Sequence, residues 1–331
     1  MKKIIFSICF AALAIGCAKT EVNYSETDLI SFAPVAQVST KAALQSADFA
    51  TTQDIYVFAN AGLDKDADYT VDVGETYNEA YLRNAMFTRA NASDNYIGAY
   101  YWPNVKSLQF AGYVDAGDAK TKTSISDDLK TMTVAAYIQP DTGNNDLMYF
   151  FTPAETVYTK GSGTIVPQMQ HACSWLTFNF IGNAITAGWN ILELKVLQIA
   201  KQATGTLTAA GATWDIYDSY ANYAVFNGTM PLLNGTPVGF DKDNEIVVIP
   251  QVPTELYVKY SYVSQAGTTI EEETKVSLKY DGDEKWVAGK KYTYDVTVTA
   301  TAIEINPTSS TWVPYDYDGN AGSNNNIPGT I

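Results

Sequence analysis

The chain contains one histidine and three cysteines, and this scarcity excludes several kinds of site. A single histidine cannot build a multi-histidine metal centre, and His171 is left as the one histidine that could act as a base. Cys9 and Cys17 lie in or directly after an apolar N-terminal stretch. Once that stretch is processed, Cys173 has no cysteine with which to form an intramolecular disulfide. Stability must therefore come from a large apolar core and not from disulfides.

Basic residues are also scarce, since 21 lysines and arginines face 36 acids and the formal net charge is −15 at pH 7. An acidic surface repels nucleic acid and anionic lipid headgroups, so we expect no nucleic-acid partner. The chain lacks a glycine-rich phosphate loop before a helical pattern, and no nucleophile stands beside an evident base. We therefore predict no cofactor and no enzymatic activity.

Residues 1–16 have the three parts of a lipoprotein signal peptide. Two lysines precede an apolar stretch at 4–15, which is too short to cross a bilayer core of about 30 Å as a helix. Gly16 then precedes Cys17, as in a lipobox. We expect Cys17 to become the lipid-bearing first residue, with residues 17–28 as a tether to the membrane. The alternative is an ordinary secretory signal with an incidental cysteine.

Period-two alternation, typical of β-strands, dominates the rest of the chain. From Tyr292 to Ala302, every second residue is apolar and threonines fill most places between. Ile303 and Ile305 have the opposite parity, so we predict a bulge near Ala302, or a strand that passes to another sheet there. Further strands are predicted at residues 29–35, 54–59, 107–114, 146–151, 190–199, 245–249 and 255–263. Helical periodicity is weak, and residues 123–130 could form two helical turns at most.

The fold class predicted from this pattern is all-β. The turn at Gly161–Gly163 lies between two strand-rich halves of similar length. We therefore predict an N-terminal domain at 29–160, a C-terminal domain at 161–317 and a flexible tail at 318–331, which is rich in glycine and asparagine.

Two groups of residues could carry chemistry, although a structural interpretation is favoured for each. His171 and Cys173 could share one face of a strand as a Cys–His pair, but a histidine packed beside an aromatic core is the favoured interpretation. The acids between Asp64 and Glu75 have the spacing of an EF-hand loop, but Tyr69 stands where that loop needs glycine. A solvated loop is favoured there over adventitious calcium binding, and we predict no metal site.

The chain is rich in aromatic residues, including 23 tyrosines. Tyr56, Tyr100, Tyr101, Trp102 and Tyr113 mainly occupy predicted strand positions. Such side chains fill the core of a β-sandwich, and exposed ones stack on sugar rings. The core interpretation is favoured, but the sequence does not separate the two.

Several short segments occur in the order and spacing of a known family. They are Ile30-Ser31-Phe32, Ser39 to Ala42, Asp54 to Ala59, Tyr101-Trp102-Pro103, Leu108 to Ala111, Asp146 to Met148, His171 to Leu176, Val248 to Gln251, and Trp286 to Tyr294. With them the chain resembles the fimbrillin-like family, the lipoprotein-derived pilus subunits of certain Gram-negative outer membranes.

The resemblance implies two tandem transthyretin-like β-sandwich domains and assembly by strand donation. A protease removes the first strand of such a subunit, here residues 29–35, and a neighbour's extended segment fills the groove. Better-known members are cut after an arginine, but the first arginine here is Arg83, inside the first domain. Lys41 is the basic residue of the implied loop, so the expected cut lies between Lys41 and Ala42.

The resemblance also implies a donor segment running from Ile303 and Ile305 through Trp312 and Val313 to Tyr317. Expected partners are other pilus subunits in a homo- or heteropolymer, the outer membrane through the lipid on Cys17, and host or bacterial surface ligands. The expected location is the outer membrane and cell surface, in a fimbrium. The alternative function is a surface glycan-binding lipoprotein of a polysaccharide-uptake system, and a hydrolase is the weakest of the three.

Overall fold

The structure is a computed structural model, and it confirms the all-β fold class. It describes residues 28–33, 54–62, 79–91, 94–104, 106–114, 119–140, 146–156, 158–239, 246–279 and 284–311. These residues form twenty strands in five sheets. None of the described residues belongs to a helix long and apolar enough to cross a membrane.

The first half of the chain supplies most of the first sandwich. Its strands are β1 (Leu29–Phe32), β2 (Ile55–Ala61), β3 (Glu79–Phe87), β4 (Tyr96–Tyr101), β5 (Leu108–Val114), β6 (Thr123–Ile125), β7 (Met132–Ile138), β8 (Met148–Phe151) and β9 (Gln170–His171). The main sheet has the order β3-β2-β5-β8-β9, and β1 pairs with β4 in a two-stranded sheet. The third sheet contains β6 and β7.

The second half of the chain supplies the second sandwich and two strands of the first. Its strands are β10 (Ser174–Gly182), β11 (Asn190–Ala200), β12 (Gln202–Thr208), β13 (Gly211–Ile216), β14 (Tyr220–Pro231), β15 (Val238–Gly239), β16 (Ile246–Val248), β17 (Glu255–Val263), β18 (Thr269–Ser277), β19 (Lys290–Val298) and β20 (Ile303–Thr311). One sheet has the order β15-β10-β19-β20, with β16 also on β10, and the facing sheet has the order β14-β11-β17-β18.

Two hydrophobic cores hold these sheets together. The first contains many aromatic rings, among them Phe32, Phe110 and Tyr113, and the second lies between the two later sheets around Leu194 and Tyr294. Alternation explains the second core directly, because every second residue of β19 is buried.

The β12–β13 hairpin crosses from the second half of the chain into the first sandwich. Strand β12 pairs with β7 in the order β13-β12-β7-β6, and Leu207 of β12 is buried in the first core. The hairpin extends the ladder of β11 and β14, so one antiparallel ribbon connects both sandwiches. The predicted boundary at residues 160–161 stays a prediction. Strands β12 and β13 come after this boundary in the sequence but pack in the first sandwich.

Several predicted strands are confirmed, and the interpretation of the parity change is wrong. Strand β17 spans the predicted residues 255–263. The alternating segment that begins at Tyr292, however, ends at Val298, and residues 299–302 form a tight turn in which the Thr299 N–H donates to the Ala302 carbonyl. Val298 then pairs with Ile303 across an antiparallel hairpin. A four-residue turn shifts the parity just as a bulge does, and the sequence alone did not distinguish them.

Candidate assembly interface

Strand β1 is a short element inserted between two other parts of the first sandwich. On one side it pairs antiparallel with β4, where Ser31 is opposite Ile97. On the other side the N–H of Ala33 donates to the Ile165 carbonyl at 2.8 Å, and the Ile165 N–H donates to the Ser31 carbonyl at 2.9 Å. The Trp102 N–H also donates to the carbonyl just before the strand at 2.8 Å. Backbone pairing on both sides therefore depends on this one strand.

The inward side chains of β1 complete the first core. Ile30 and Phe32 are both 0% exposed. The Phe32 ring meets Phe87 edge to face at a centroid distance of 5.0 Å and Phe110 at 5.5 Å, and Phe150 lies 6.0 Å away. Burying two such side chains contributes about 3–6 kcal/mol. β1 is thus a strongly bound part of the core although it has only four residues.

The outward side of β1 is held by polar contacts. The Ser31 hydroxyl lies 3.0 Å from the Thr164 hydroxyl, and Lys160 Nζ lies 2.9 Å from Asp28 Oδ1. Such partly exposed contacts contribute little to stability, commonly below about 1 kcal/mol each. The buried side chains, and not these contacts, hold the strand.

The chain leaves β1 without turning directly into the next strand. β1 ends at Phe32 and β2 begins at Ile55, and β1 pairs with β4, which comes later in the sequence. A cut in the long connection would leave β1 attached to the body through non-covalent contacts. Its departure would expose a groove lined by aromatic rings and by backbone groups that had lost their partners.

Strand β20 contains the described part of the predicted donor segment. It pairs with β19 from Val298–Ile303 to Lys290–Thr311 and lies at the edge of its sheet. Ile303 and Ile305 are half-buried and pack against the second core. Their spacing of two residues equals that of Ile30 and Phe32, the two side chains that fill the first core from β1.

Other predicted site residues lie outside the described part of the chain. These are the lipidation residue Cys17, the candidate cleavage pair Lys41 and Ala42, and the donor residues Trp312 and Val313. The acidic loop from Asp64 to Glu75 lies outside it as well.

His171 lies in β9, where it is buried beside the first core. Its Nδ1 is 2.8 Å from Asp146 Oδ2, and neither side chain reaches solvent. Cys173 is a buried thiol in the same core. The favoured interpretation of His171 as a packed residue at a strand start agrees with these contacts. The acid partner was missed, because Asp146 is 25 positions away in the sequence.

The aromatic residues singled out from the sequence mostly belong to the core. Tyr56, Trp102 and Tyr113 are buried, and Tyr100 is half-buried against the same cluster. The Tyr56 and Tyr113 rings stack at a centroid distance of 5.3 Å. The core interpretation is confirmed for these four. A second aromatic group, around Trp189, was not predicted from the sequence.

The fold is shared with a solved fimbrial protein. A fimbrial protein from Bacteroides vulgatus aligns with a TM-score of 0.57 and 15% sequence identity, over 86% of this chain and 99% of that one. A candidate cell adhesion protein from Bacteroides uniformis aligns with a TM-score of 0.48 and 15% identity, over 86% and 100%. The tip fimbrial protein Mfa3 from Porphyromonas gingivalis, with a C-terminal truncation, aligns with a TM-score of 0.35 and 8% identity, over 86% and 98%.

Comparison of sequences identifies the family. None of the curated proteins is similar enough in sequence to count as a relative. The sequence profile of the family described as fimbrillin-like, in contrast, matches residues 40–312, which is most of the chain. The match contains all the strands described above except β1. The chain therefore belongs to the fimbrillin-like family.

Proposed function

We propose that this chain is a subunit of a surface pilus that assembles by β-strand donation. The observation that supports this most is the position of β1, which is short, paired on both sides and central to the first core. Membership of the fimbrillin-like family supports a structural role at the cell surface, and the chain is not an enzyme.

The acceptor part of the proposal follows from the contacts of β1. Loss of the strand uncovers apolar pockets that had held Ile30 and Phe32, and it unpairs backbone groups on β4 and at Ile165. Unpaired strand edges and exposed apolar surface are both unfavourable in water. A strand from a neighbouring subunit removes both costs when it presents apolar side chains two residues apart.

The donor part rests on the C-terminal segment. Ile303 and Ile305 have the required spacing, and Trp312 and Val313 follow. Release of β20 would break its ladder with β19, and pairing of the freed strand in a neighbour's groove would replace the lost backbone bonds. The donated segment in our proposal runs from Ile303 and Ile305 through Trp312 and Val313.

Processing at the N-terminus completes the proposed pathway. Cys17 carries the lipid that brings the chain to the outer membrane, and cleavage between Lys41 and Ala42 frees β1. The partners are further pilus subunits, either copies of this chain or related ones, with host or bacterial surface ligands as targets of adhesion.

The test uses a disulfide that retains β1 after cleavage. The variant Ser31→Cys with Thr164→Cys places two thiols where the native hydroxyls lie 3.0 Å apart, on the outward side of the strand. Purified chain is treated with trypsin at low dose, and the new N-terminus is read by mass spectrometry. Oligomers are then followed by gel electrophoresis without boiling and by electron microscopy.

We expect the unmodified chain to be cut after Lys41, to lose β1 and to form a ladder of oligomers. The oxidised double variant should be cut but remain monomeric, and a reducing agent should restore the ladder. The matched control is Ser31→Cys alone, which should polymerise in both conditions. Polymerisation of the oxidised double variant would refute strand replacement at this groove.

A further inference from the structure

We propose that the far end of the second sandwich carries a binding site for neutral pyranose sugars, built by Trp189, Tyr260, Tyr262 and Glu272. We call the three rings the aromatic platform. The proposal goes beyond the role in assembly, which concerns the first sandwich and β20.

The platform lies at the end of the second sandwich that faces away from the first. Strand β10 begins beside the first core at Trp175 and ends at Gly182, so the two ends are separated by about 25 Å. Asn190, which follows Trp189, pairs with Ser261 on β17. The platform and the groove of β1 therefore lie on opposite sides of the junction between the sandwiches.

The three rings lie nearly parallel. Trp189 is inclined by 6° to Tyr260 at a centroid distance of 5.6 Å, and by 19° to Tyr262 at 4.5 Å. Tyr260 and Tyr262 are two residues apart on β17, so they share one face of the strand. The Trp189 backbone is fixed as well, because its N–H donates to the Thr186 carbonyl and its carbonyl accepts from the Leu232 N–H. Trp189 and Tyr260 also pack against the second core, so the result is a preorganised stack of three rings at the end of that core.

One carboxylate holds both tyrosines. The Tyr260 hydroxyl donates to Glu272 Oε2 at 2.8 Å, and the Tyr262 hydroxyl donates to Oε1 at 3.0 Å. Burial, together with this bond, raises the pKa of Tyr260 to about 12, and the bond to Glu272 raises the pKa of Tyr262. A carboxylate can accept about four hydrogen bonds in all. Glu272 can therefore still accept bonds from the hydroxyls of a ligand at the edge of the platform.

Exposed aliphatic side chains surround this end of the sandwich. Ile185 and Val263 are each 68% exposed, and Leu233 is 48% exposed. Trp189 and Tyr262 are half-buried and Glu272 is exposed. Apolar side chains grouped in this way at one end of a sandwich indicate a surface that is covered in use.

The chemistry of the platform favours sugar as the covering ligand. A pyranose has an apolar face of C–H groups that packs on an aromatic ring, and a rim of hydroxyls that donate to a carboxylate. Glu271 and Glu273 flank Glu272 on β18, and the chain as a whole carries a charge of −15. Uronic and sialic acids would be repelled by this charge. The expected ligands are thus neutral sugars.

The test is titration calorimetry of the intact chain with neutral hexasaccharides of glucose, mannose, galactose and xylose, and with a hexasaccharide of galacturonic acid. We expect at least one neutral sugar to bind and the acidic one not to bind. Trp189→Ala and Tyr262→Ala should each weaken binding by about tenfold or more. The matched controls are Tyr257→Ala and Glu273→Gln. Each removes a similar Tyr–Glu hydrogen bond, 2.7 Å long, which lies on the opposite face of β17.

The outcomes separate the alternatives. If Trp189→Ala does not fold, as judged by circular dichroism, Tyr262→Ala and Glu272→Gln decide the question. Binding of no neutral sugar at millimolar concentration would overturn the proposal, as would equal binding by the platform variants and the controls. Concentration-dependent self-association of the chain that Tyr262→Ala abolishes, without sugar binding, would instead show that the platform contacts a second copy.

Discussion

The N-terminal half of this protein should not fold by itself, although a turn at Gly161–Gly163 follows it in the sequence. The fragment 17–160 contains β1 to β8 but lacks β9, β12 and β13, which complete two of its sheets. The third sheet would be reduced to β6 and β7, a pairing of three residues. Two strands this short are not stable without neighbours.

The size of the effect follows from the first core. Ile165, Leu207, Val247 and Ile249 belong to that core, lie beyond residue 160 and are at most 1% exposed. Their burial contributes about 6–12 kcal/mol, taking about 1.5–3 kcal/mol for each side chain. A whole domain is stable by only about 5–15 kcal/mol. The fragment therefore loses an amount comparable to its entire stability.

The assay is urea denaturation followed by circular dichroism, together with the dispersion of amide signals in NMR. We expect the intact chain to unfold cooperatively and the fragment 17–160 to show a broad transition and poor dispersion. In the intact chain, Leu207→Ala should cost about 2–5 kcal/mol, and its exposed neighbour Thr206→Ala should change stability by less than about 0.5 kcal/mol. A fragment that unfolds cooperatively with native-like dispersion would refute the reasoning.

Two further predictions concern side chains with defined partners. Phe32→Ala should destabilise the chain by about 3–5 kcal/mol, because the cavity left by the ring would lie among Phe87, Phe110 and Phe150. Ser31→Ala is the control. Equal midpoints of urea unfolding for the two variants would contradict the prediction. Stability should also fall as the pH rises from about 10 towards 12. The pKa of Tyr260 is raised to about 12 in the folded chain, so the unfolded chain loses this proton first, and the stabilisation present below pH of about 10 disappears. Alkaline unfolding of Tyr260→Phe should depend less on pH in this range, and an unchanged profile would contradict the assignment.

Strand alternation was sufficient to predict the class of the fold and several strand positions. A strand with one buried face shows this in its own residues, as β17 and β19 do, because successive side chains point to opposite faces. Strand β13 was missed although its sequence alternates. Ala212, Trp214 and Ile216 lie on one face and pack, only partly buried, against the first core, and a run of six residues is too short for this signal to stand out.

The candidate site was predicted in part. The segment around Ile30 and Phe32 was identified through the family resemblance, and its burial confirms that it is integral to the first core. The pairing of Ser31 with β4 and with the Thr164–Ile165 segment was not predictable, since these contacts join residues 66 and 134 positions apart. The aromatic platform was missed because Trp189 and Tyr262 meet only after β11 and β17 pair.

The sequence by itself determined that this is an acidic all-β chain, and it carried the ordered segments by which the family resemblance was seen. Those properties depend on composition and on the local alternation of side chains, both of which can be read along the chain. The tertiary structure alone decided that β12 and β13 complete the first sandwich, that β19 turns back into β20, and that three separated aromatic residues form the platform. Each of these depends on which strands pair with one another. That pairing is set by the burial of whole sheet faces and not by the sequence of any single segment.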